Sequence, residues 1–353
     1  MSPQLCLDDS NLREYLENQG LVPAGEPLSV TPAGDGNINW VRRARVEPDG
    51  PSWIVKQARP ALERFPEYRV TTERIAFEAR YYEVAAPFDR RRTCPRVIRF
   101  DPEARVLVLE DLCGAERLDA ALGRGAPVGE ALAGIGAFLG AVHAGTRGAD
   151  LSARFENREM VRLHGDHVFS LPFRENEFPL SERLAARAAA LRQDRRLRQT
   201  LDAAYARYLG CRVALVHGDV QSANILLASD RPVLLDAEIA HVGDPAFDVG
   251  SLVAHLLMPA LARRAPGSAL PALGALFGAY RGAGGRELRF ADAARYAGIE
   301  MARRTIGAAR LAWADDGDAA ERVLDLGLAL VRHPPGSPGD LASLLADASS
   351  GRL

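Results

Sequence analysis

Apolar and polar positions along the chain follow two periods. Leu28 to Thr31 and Trp40 to Val46 read as strands, and Trp53-Ile54-Val55-Lys56 is a third, more apolar one. From Thr72 the pattern turns helical. Ile75, Ala79 and Tyr82 fall at i, i+4 and i+7, and Glu73 sits in the first turn, where a carboxylate is favourable. A shorter helix, Asn11 to Asn18, is capped by Asp9 or Ser10 and stopped by Gly20. Val106 to Leu109 is again a strand, ending in Glu110-Asp111-Leu112.

Beyond that point helices dominate. Val128 to His143 is an alanine- and glycine-rich packed helix, and Ser181 to Tyr208 reads as one long charged helix. Two short apolar runs follow, Ile225-Leu226-Leu227 and Val233-Leu234-Leu235. Helices are then expected at about Pro271 to Arg281, Ala291 to Arg310 and Asp318 to Arg332, before the chain frays into HPPGSPGD and a short tail. Residues 144 to 180 are loop-rich and aromatic, the pattern of a substrate-side insertion. No internal repeat is visible. The pattern predicts an α+β, bilobal chain with a small β-rich N-lobe, 1–111, and a larger, mainly helical C-lobe, 112–353. At 353 residues the chain exceeds the size at which a single core keeps growing, which agrees with two lobes.

Composition excludes several classes. With 47% hydrophobic and 25% charged residues and a formal net charge of -2, the chain lacks the basic excess of a nucleic-acid binder. Cys6, Cys94, Cys113 and Cys211 are far apart and lack ligand spacing, so they predict reduced thiols in a cytoplasmic protein. No apolar run reaches the roughly 18 residues of a membrane helix. The first residues, MSPQLCLDDSNLREYLENQG, have neither the basic start nor the hydrophobic centre of a signal peptide. No membrane or nucleic-acid partner is expected, and a homodimer is compatible with the sequence.

The chemistry concentrates in LVHGDVQSANILLASDRPVLLDAEIAHVGDPAFD, Leu215 to Asp248. Asp219 precedes Asn224 by five positions, the interval at which a phosphoryl-transfer loop places a hydroxyl-orienting carboxylate and a metal-binding amide. Twelve residues further on, Asp236 stands at the end of the second strand of a hairpin, which aims another carboxylate at the same metal. Lys56 is the only lysine, and the other 43 of the 44 basic residues are arginine. A compact ammonium fits a narrow slot that a planar guanidinium does not. Glu78 falls on the inward face of its helix and needs a cationic partner there, for which Lys56 is the obvious one; the alternative is a face-edge glutamate paired with Arg74 or Arg80. Between the first two strands, Pro32-Ala33-Gly34-Asp35-Gly36-Asn37-Ile38-Asn39 is a hairpin that exposes backbone N–H groups and suits the covering of phosphates. Only eleven residues separate Asp236 from Asp248, too few for the activation segment of a protein kinase.

These motifs, HGDVQSAN, LLDAE and GDPAFDVG, resemble the aminoglycoside phosphotransferase and choline kinase superfamily over almost the whole chain. Within it, Gly34-Asp35-Gly36-Asn37-Ile38-Asn39, Val55-Lys56-Gln57-Ala58, His167 to Phe178 and Glu300 to Gly307 are most similar to methylthioribose kinases. The metal loop departs from those, with Gln221-Ser222-Ala223-Asn224 where they have a His-Thr-Gly-Ser type stretch and Asp236-Ala237-Glu238 where they have Asp-Pro-Glu. In that loop the chain is closer to the antibiotic and choline kinases.

The resemblance implies a kinase-like fold, ATP and Mg²⁺ as cofactors, and a small-molecule hydroxyl acceptor. It implies that Asp219 is catalytic and that Lys56, Glu78, Gly34, Asp35, Gly36, Asn37 and Asn39 serve ATP. Glu110 and Leu112 would offer hinge backbone to adenine. Asn224, Asp236 and Glu238 would hold the metal, Arg303 and Arg304 would meet substrate, and His217 and Asp248 would support the loop. Ala240 to Leu353 holds twelve acidic residues and twelve arginines, a balance that favours a neutral or anionic, sugar-like acceptor over a polycationic one. An antibiotic phosphotransferase is the alternative. A catalytically silent nucleotide-binding regulator would tolerate loss of the lysine, base or metal ligands, and all are present.

Overall fold

The computed structural model describes residues 5–34, 38–61, 63 and 69–349, so Asp35, Gly36 and Asn37 of the phosphate-covering hairpin lie outside the described residues. The N-terminal part runs α1 (Leu12–Asn18), β1 (Leu28–Pro32), β2 (Trp40–Val46), β3 (Ser52–Gln57), α2 (Arg74–Ala85), β4 (Val97–Asp101) and β5 (Val106–Glu110). Its five strands make one antiparallel sheet in the order β1-β2-β3-β5-β4.

The two-residue period of β3 divides its side chains between two cores. Trp53 and Val55 pack with Leu12, Leu16, Val106 and Val108 in a core beneath α1. Lys56 stands opposite Leu107 in the register. Leu107 and Leu109 join Ile75, Tyr81 and Tyr82 of α2 in a second core, which continues into the helical part. The alternation that makes β3 a strand therefore also puts its one charged residue on the side of the sheet that faces the rest of the molecule.

The C-terminal part begins with β6 (Glu116–Arg117) and α3 (Leu118–Gly123), followed by α4 (Gly129–Gly145), α5 (Arg158–Gly165), α6 (Glu182–Gln193) and α7 (Arg195–Gly210). Four short strands follow: β7 (Ala214–Val216), β8 (Ile225–Leu227), β9 (Pro232–Leu234) and β10 (His241–Gly243). β8 pairs with β6 and β9, and β7 with β10. The chain ends in α8 (Pro245–Ala262), α9 (Leu270–Gly282), α10 (Phe290–Ile306), α11 (Gly317–Arg332) and α12 (Pro338–Ser349).

The α+β, two-lobed expectation holds, with four local corrections. The long helix expected from Ser181 to Tyr208 is two helices. Asp194 leaves helical geometry at ψ 101° and its carboxylate caps α7 by accepting the N–H groups of Arg196 and Leu197. The segment read as frayed is α12, with Ser337 and Pro338 supplying a capping hydroxyl and a preset φ. Its Leu341 and Leu345 are buried. The stretch expected to be loop-rich is helical from Arg158 to Phe173, through α5, a π-turn at Asp166–Ser170 and a 3₁₀ turn at Leu171–Phe173. Finally, α8 is long and apolar enough by length and composition to cross a membrane, yet 89% of it is buried within the fold.

The glycines of α4 have a packing reason. α4 lies so close to α9 that a Cβ on Gly136 or Gly140 would collide with the carbonyl oxygens of Leu276 and Tyr280. In an exposed helix, Gly to Ala gains up to about 1 kcal/mol. Here Gly140→Ala should lose about 1–3 kcal/mol through overpacking. The sign of the change in Tm decides between the two.

Candidate active site

Three elements converge on Lys56. Its ammonium, at the end of β3, lies 2.7 Å from Glu78 of α2 and 2.6 Å from Asp236 after β9. It lies 2.5 Å from Glu238 in the same turn. Tyr82, one helical turn beyond Glu78, donates its hydroxyl to Glu78 at 2.9 Å and accepts the backbone N–H of Asp236 at 3.1 Å, so α2 positions both carboxylates. Asp236 has φ 65°, an unusual conformation for a residue other than glycine, and this turns its side chain out of the β8–β9 hairpin.

Burial alone would lower the Lys56 pKa, but Asp236, Glu238 and Glu78 outweigh it and hold the ammonium well above the ordinary lysine range. Burial raises the Glu78 carboxyl. For Asp236 the pull of Lys56 prevails over burial and lowers the carboxyl. Arg74 is a fully buried second cation, 3.5 Å from Glu238.

Asn39 accepts from Arg74 at 2.8 Å and donates to Glu238, so its side chain belongs to this ion network. The sequence places Tyr82 on the inward face of α2 and offers Arg74 as an alternative partner of Glu78; the structure instead gives Arg74 to Asn39 and Glu238, and Tyr82 to Glu78 and Asp236. Gly34 has φ 68° with open space about it. The N–H of Glu110 is used within the sheet, donating to Arg96. Its carboxylate pairs with Arg231 at 2.8 Å. The Leu112 carbonyl accepts from Ala115.

The carboxylate oxygens of Glu78, Asp236 and Glu238 lie within 4.8 Å of one another, a hard oxygen donor set suited to a divalent cation. The ammonium already occupies the middle of that set. Asp236, with its side chain 48% exposed, is the one open member, and its Oδ1 is committed to Lys56. Asn224 donates to Asp219 Oδ2 at 2.8 Å and to the Asp219 carbonyl, which leaves its amide oxygen as the remaining ligand atom.

The loop carrying Asp219 is held from below. Gly218 has φ 84°, and a Cβ there would strike the Ile239 carbonyl, so the turn requires glycine. Asp248, fully buried in α8, accepts the N–H groups of His217 and Gly218 at 2.8 Å each. It also pairs with His143 at 3.1 Å, whose other ring nitrogen meets the Tyr280 hydroxyl. His217 is buried and meets Tyr81 edge-on, with its Nδ1 accepting the Asp219 N–H at 3.3 Å.

On the far side of Asp219, α10 carries Glu300, Arg303 and Arg304. Arg303 bonds both Glu300 oxygens at 2.9 Å, and Arg304 Nε bonds Glu300 at 2.6 Å. Arg304 Nη2 reaches Gln221 Oε1 at 2.7 Å, and Gln221 Nε2 reaches Asp219 Oδ2 at 2.9 Å. Ser222 Oγ and Glu300 lie on either side of His255, at 3.0 and 3.4 Å. His255 was not singled out in the sequence, and Glu300 and Gln221 entered only as members of strings quoted for the resemblance, without a role, because nothing in their spacing marks one.

The His167 to Phe178 string divides. Val168, Phe169 and Phe173 are core residues, with Phe169 stacked on Tyr205. His164 and His167 lie nearer Arg303. Burial first, then Arg303, lowers both, His164 to about 4, so His164 is neutral at pH 7.

Residues 29–291 match the phosphotransferase enzyme family. The chain is 31% identical over 259 residues to a methylthioribose kinase of Pectobacterium atrosepticum, and the match covers 69% of this chain and 64% of that one. It is 29% identical over 276 residues to the enzyme of that name from Cronobacter sakazakii, covering 73% and 67%. Among solved structures, an amicoumacin kinase in complex with AMP-PNP, Ca²⁺ and Ami superposes with a TM-score of 0.55 at 15% identity, over 96% of this chain and 97% of that one. A choline kinase of Cryptosporidium parvum gives 0.54 at 12% identity, over 96% and 100%. The chain belongs to the phosphotransferase enzyme family, with the two-lobed kinase-like fold of these structures. It spans just under two thirds of the length of the Pectobacterium relative.

Glu300 is the counter-ion of two arginines and a hydrogen-bond partner of His255, whose ring is kept from charging by burial. Burial raises the Glu300 carboxyl, but Arg303 and Arg304 prevail and hold it well below the ordinary glutamate range. A depressed folded-state pKa stabilises the protein above the unfolded value, and that contribution is lost as pH falls through the folded one. Glu300→Gln should therefore cost about 3–5 kcal/mol at pH 7 by leaving buried arginines uncompensated. It should also lose less stability than wild type between pH 5 and pH 3. Denaturant melts across that range check both.

Proposed function

We propose that this protein is an ATP-dependent small-molecule kinase that transfers the γ-phosphate to a hydroxyl of a sugar-like acceptor, with methylthioribose or a related sugar as the best candidate. The observation that carries the reading is the contact of Lys56 with both Glu78 and Asp236, beside a half-buried Asp219 held by the Asn224 amide. In this reading residues 1–111 bind nucleotide and 112–353 carry the loop, the metal ligands and the acceptor pocket.

Lys56, fixed by Glu78, binds the α- and β-phosphates. The turn containing Gly34 to Asn39 covers them, and the backbone at Glu110 to Leu112 meets adenine. Asp236 and Asn224 would hold Mg²⁺, with Glu238 behind them, and the ion would supply charge neutralisation to the transferring phosphoryl group. Asp219 orients the acceptor hydroxyl for in-line attack and takes its proton, so no covalent enzyme intermediate forms. Asn224 and Gln221 both donate to Asp219 Oδ2, which leaves Oδ1 for the acceptor. Arg303, with N–H donors beyond those used on Glu300, faces the acceptor.

The methylthioribose kinase relatives and the arginines of α10 both favour a neutral or anionic acceptor over a polycation. An ATP-consumption screen against methylthioribose, other free sugars, aminoglycosides and choline tests this. A best acceptor that is an aminoglycoside would replace the sugar assignment with resistance chemistry, and no consumption with any acceptor would count against the kinase reading. Asp219→Ala should lower kcat by about 10² to 10⁴, the range for a lost general base, with ATP binding retained. Lys56→Arg should also impair transfer although it keeps the charge, because a planar fork cannot take the ammonium's place among three carboxylates. Steady-state kinetics beside nucleotide titration read both variants.

A further inference from the structure

We propose that Gln221 and Arg304 form a positioning chain that fixes the Asp219 carboxylate for catalysis, so that Arg304 acts through Gln221 rather than on the acceptor. This inference rests on the kinase reading of Asp219.

A guanidinium has only donors, and an ionised carboxylate only accepts. Arg304 and Asp219 stand on opposite sides of the Gln221 amide, at 2.7 and 2.9 Å. An amide between them satisfies both in one orientation alone, with its oxygen toward Arg304 and its nitrogen toward Asp219. Arg304 thus decides which way the amide faces. Arg304 is itself immobilised, 7% exposed, with Nε on Glu300 and Nη1 on the Ala309 carbonyl. Nε, Nη1 and Nη2 each donate to a protein atom, which leaves little of the guanidinium to meet an acceptor.

The chain acts on one oxygen. Gln221 Nε2 and Asn224 Nδ2 both donate to Asp219 Oδ2. Two donors from opposite ends of the same loop set the carboxylate's rotation and direct Oδ1 to the acceptor's proton. Among the described residues, the side-chain donors to Asp219 both go to Oδ2 and none to Oδ1. Loss of Gln221 leaves Asn224 as the only side-chain donor, and the carboxylate gains rotational freedom. A hydroxyl bound nearby then spends less of its time in line with the phosphoryl group, a fall in kcat rather than in binding.

Gln221→Met keeps the length of the side chain and removes both amide contacts. Arg304→Lys keeps a buried cation beside Glu300 and loses the fork that also reaches Gln221. With the best acceptor from the screen, each variant should lower kcat on the order of 10- to 100-fold, the range for a lost hydrogen bond to a charged group. Acceptor KM and nucleotide Kd should stay within about twofold, the resolution of such kinetics. The double variant should be no slower than the slower single, because both changes break the same chain. Thermal midpoints of all three verify that the proteins are folded. Multiplying effects, or an Arg304→Lys change that appears in acceptor KM, would overturn the positioning chain and make Arg304 a direct acceptor contact. Failure of the kinase reading appears in the wild type itself, whereas failure of this inference appears only in the variants.

Discussion

The ammonium of Lys56 is the contact on which the site depends, because it is the point where sheet, helix and hairpin meet. Lys56 is 4% exposed, and burying an unpaired charge costs several kcal/mol, so the residue is tolerated only where carboxylates gather. Glu78 comes from α2, and Asp236 and Glu238 come from the turn after β9. None of the three is easily placed there without the cation. With Arg74 included, two cations face three carboxylates, and Asp236 is the most exposed of the three.

A second constraint acts on the loop between β7 and β8. Its backbone is fixed by Asp248, which takes two consecutive N–H groups and is itself locked through His143 to Tyr280. Its side chains are fixed separately, from α10. The two braces come from α8 and α10, which pack closely enough that Gly250 lies against the backbone of α10. Backbone and side-chain order in the loop therefore share a single helix pair as their foundation. Changes in the packing of α8 on α10 act on both.

What could be read in the sequence follows from how local the signals are. The strands around Lys56, the helix that carries Glu78 and the hairpin that delivers Asp236 each rest on a short apolar period, and their bounds agree closely with the structure. The site network was legible only where a motif kept its members together. Asp219 and Asn224 are five residues apart, but Gln221 and Arg304 are 83 apart, and only tertiary packing joins them. Asp194 breaks a helix because its carboxylate competes for backbone donors, a capping effect that the charged, arginine-rich pattern around it concealed. Val168, Phe169 and Phe173 looked like a recognition surface because they are aromatic and apolar in a polar stretch. They are instead part of the core that supports α5 and α7.

The two halves of the proposed reaction are constrained to different degrees. On the nucleotide side, the lysine, the glutamate and the loop aspartates are short-range, mutually dependent contacts, and family membership by itself predicts them. The acceptor side depends on α10, where two arginines share one glutamate and only one of them is tied to the catalytic loop. A fold does not fix its substrate. Arg304 directs its donors at Glu300, Gln221 and Ala309, whereas Arg303 directs a single nitrogen at Glu300, so of the two arginines only Arg304 ties α10 to the loop of Asp219.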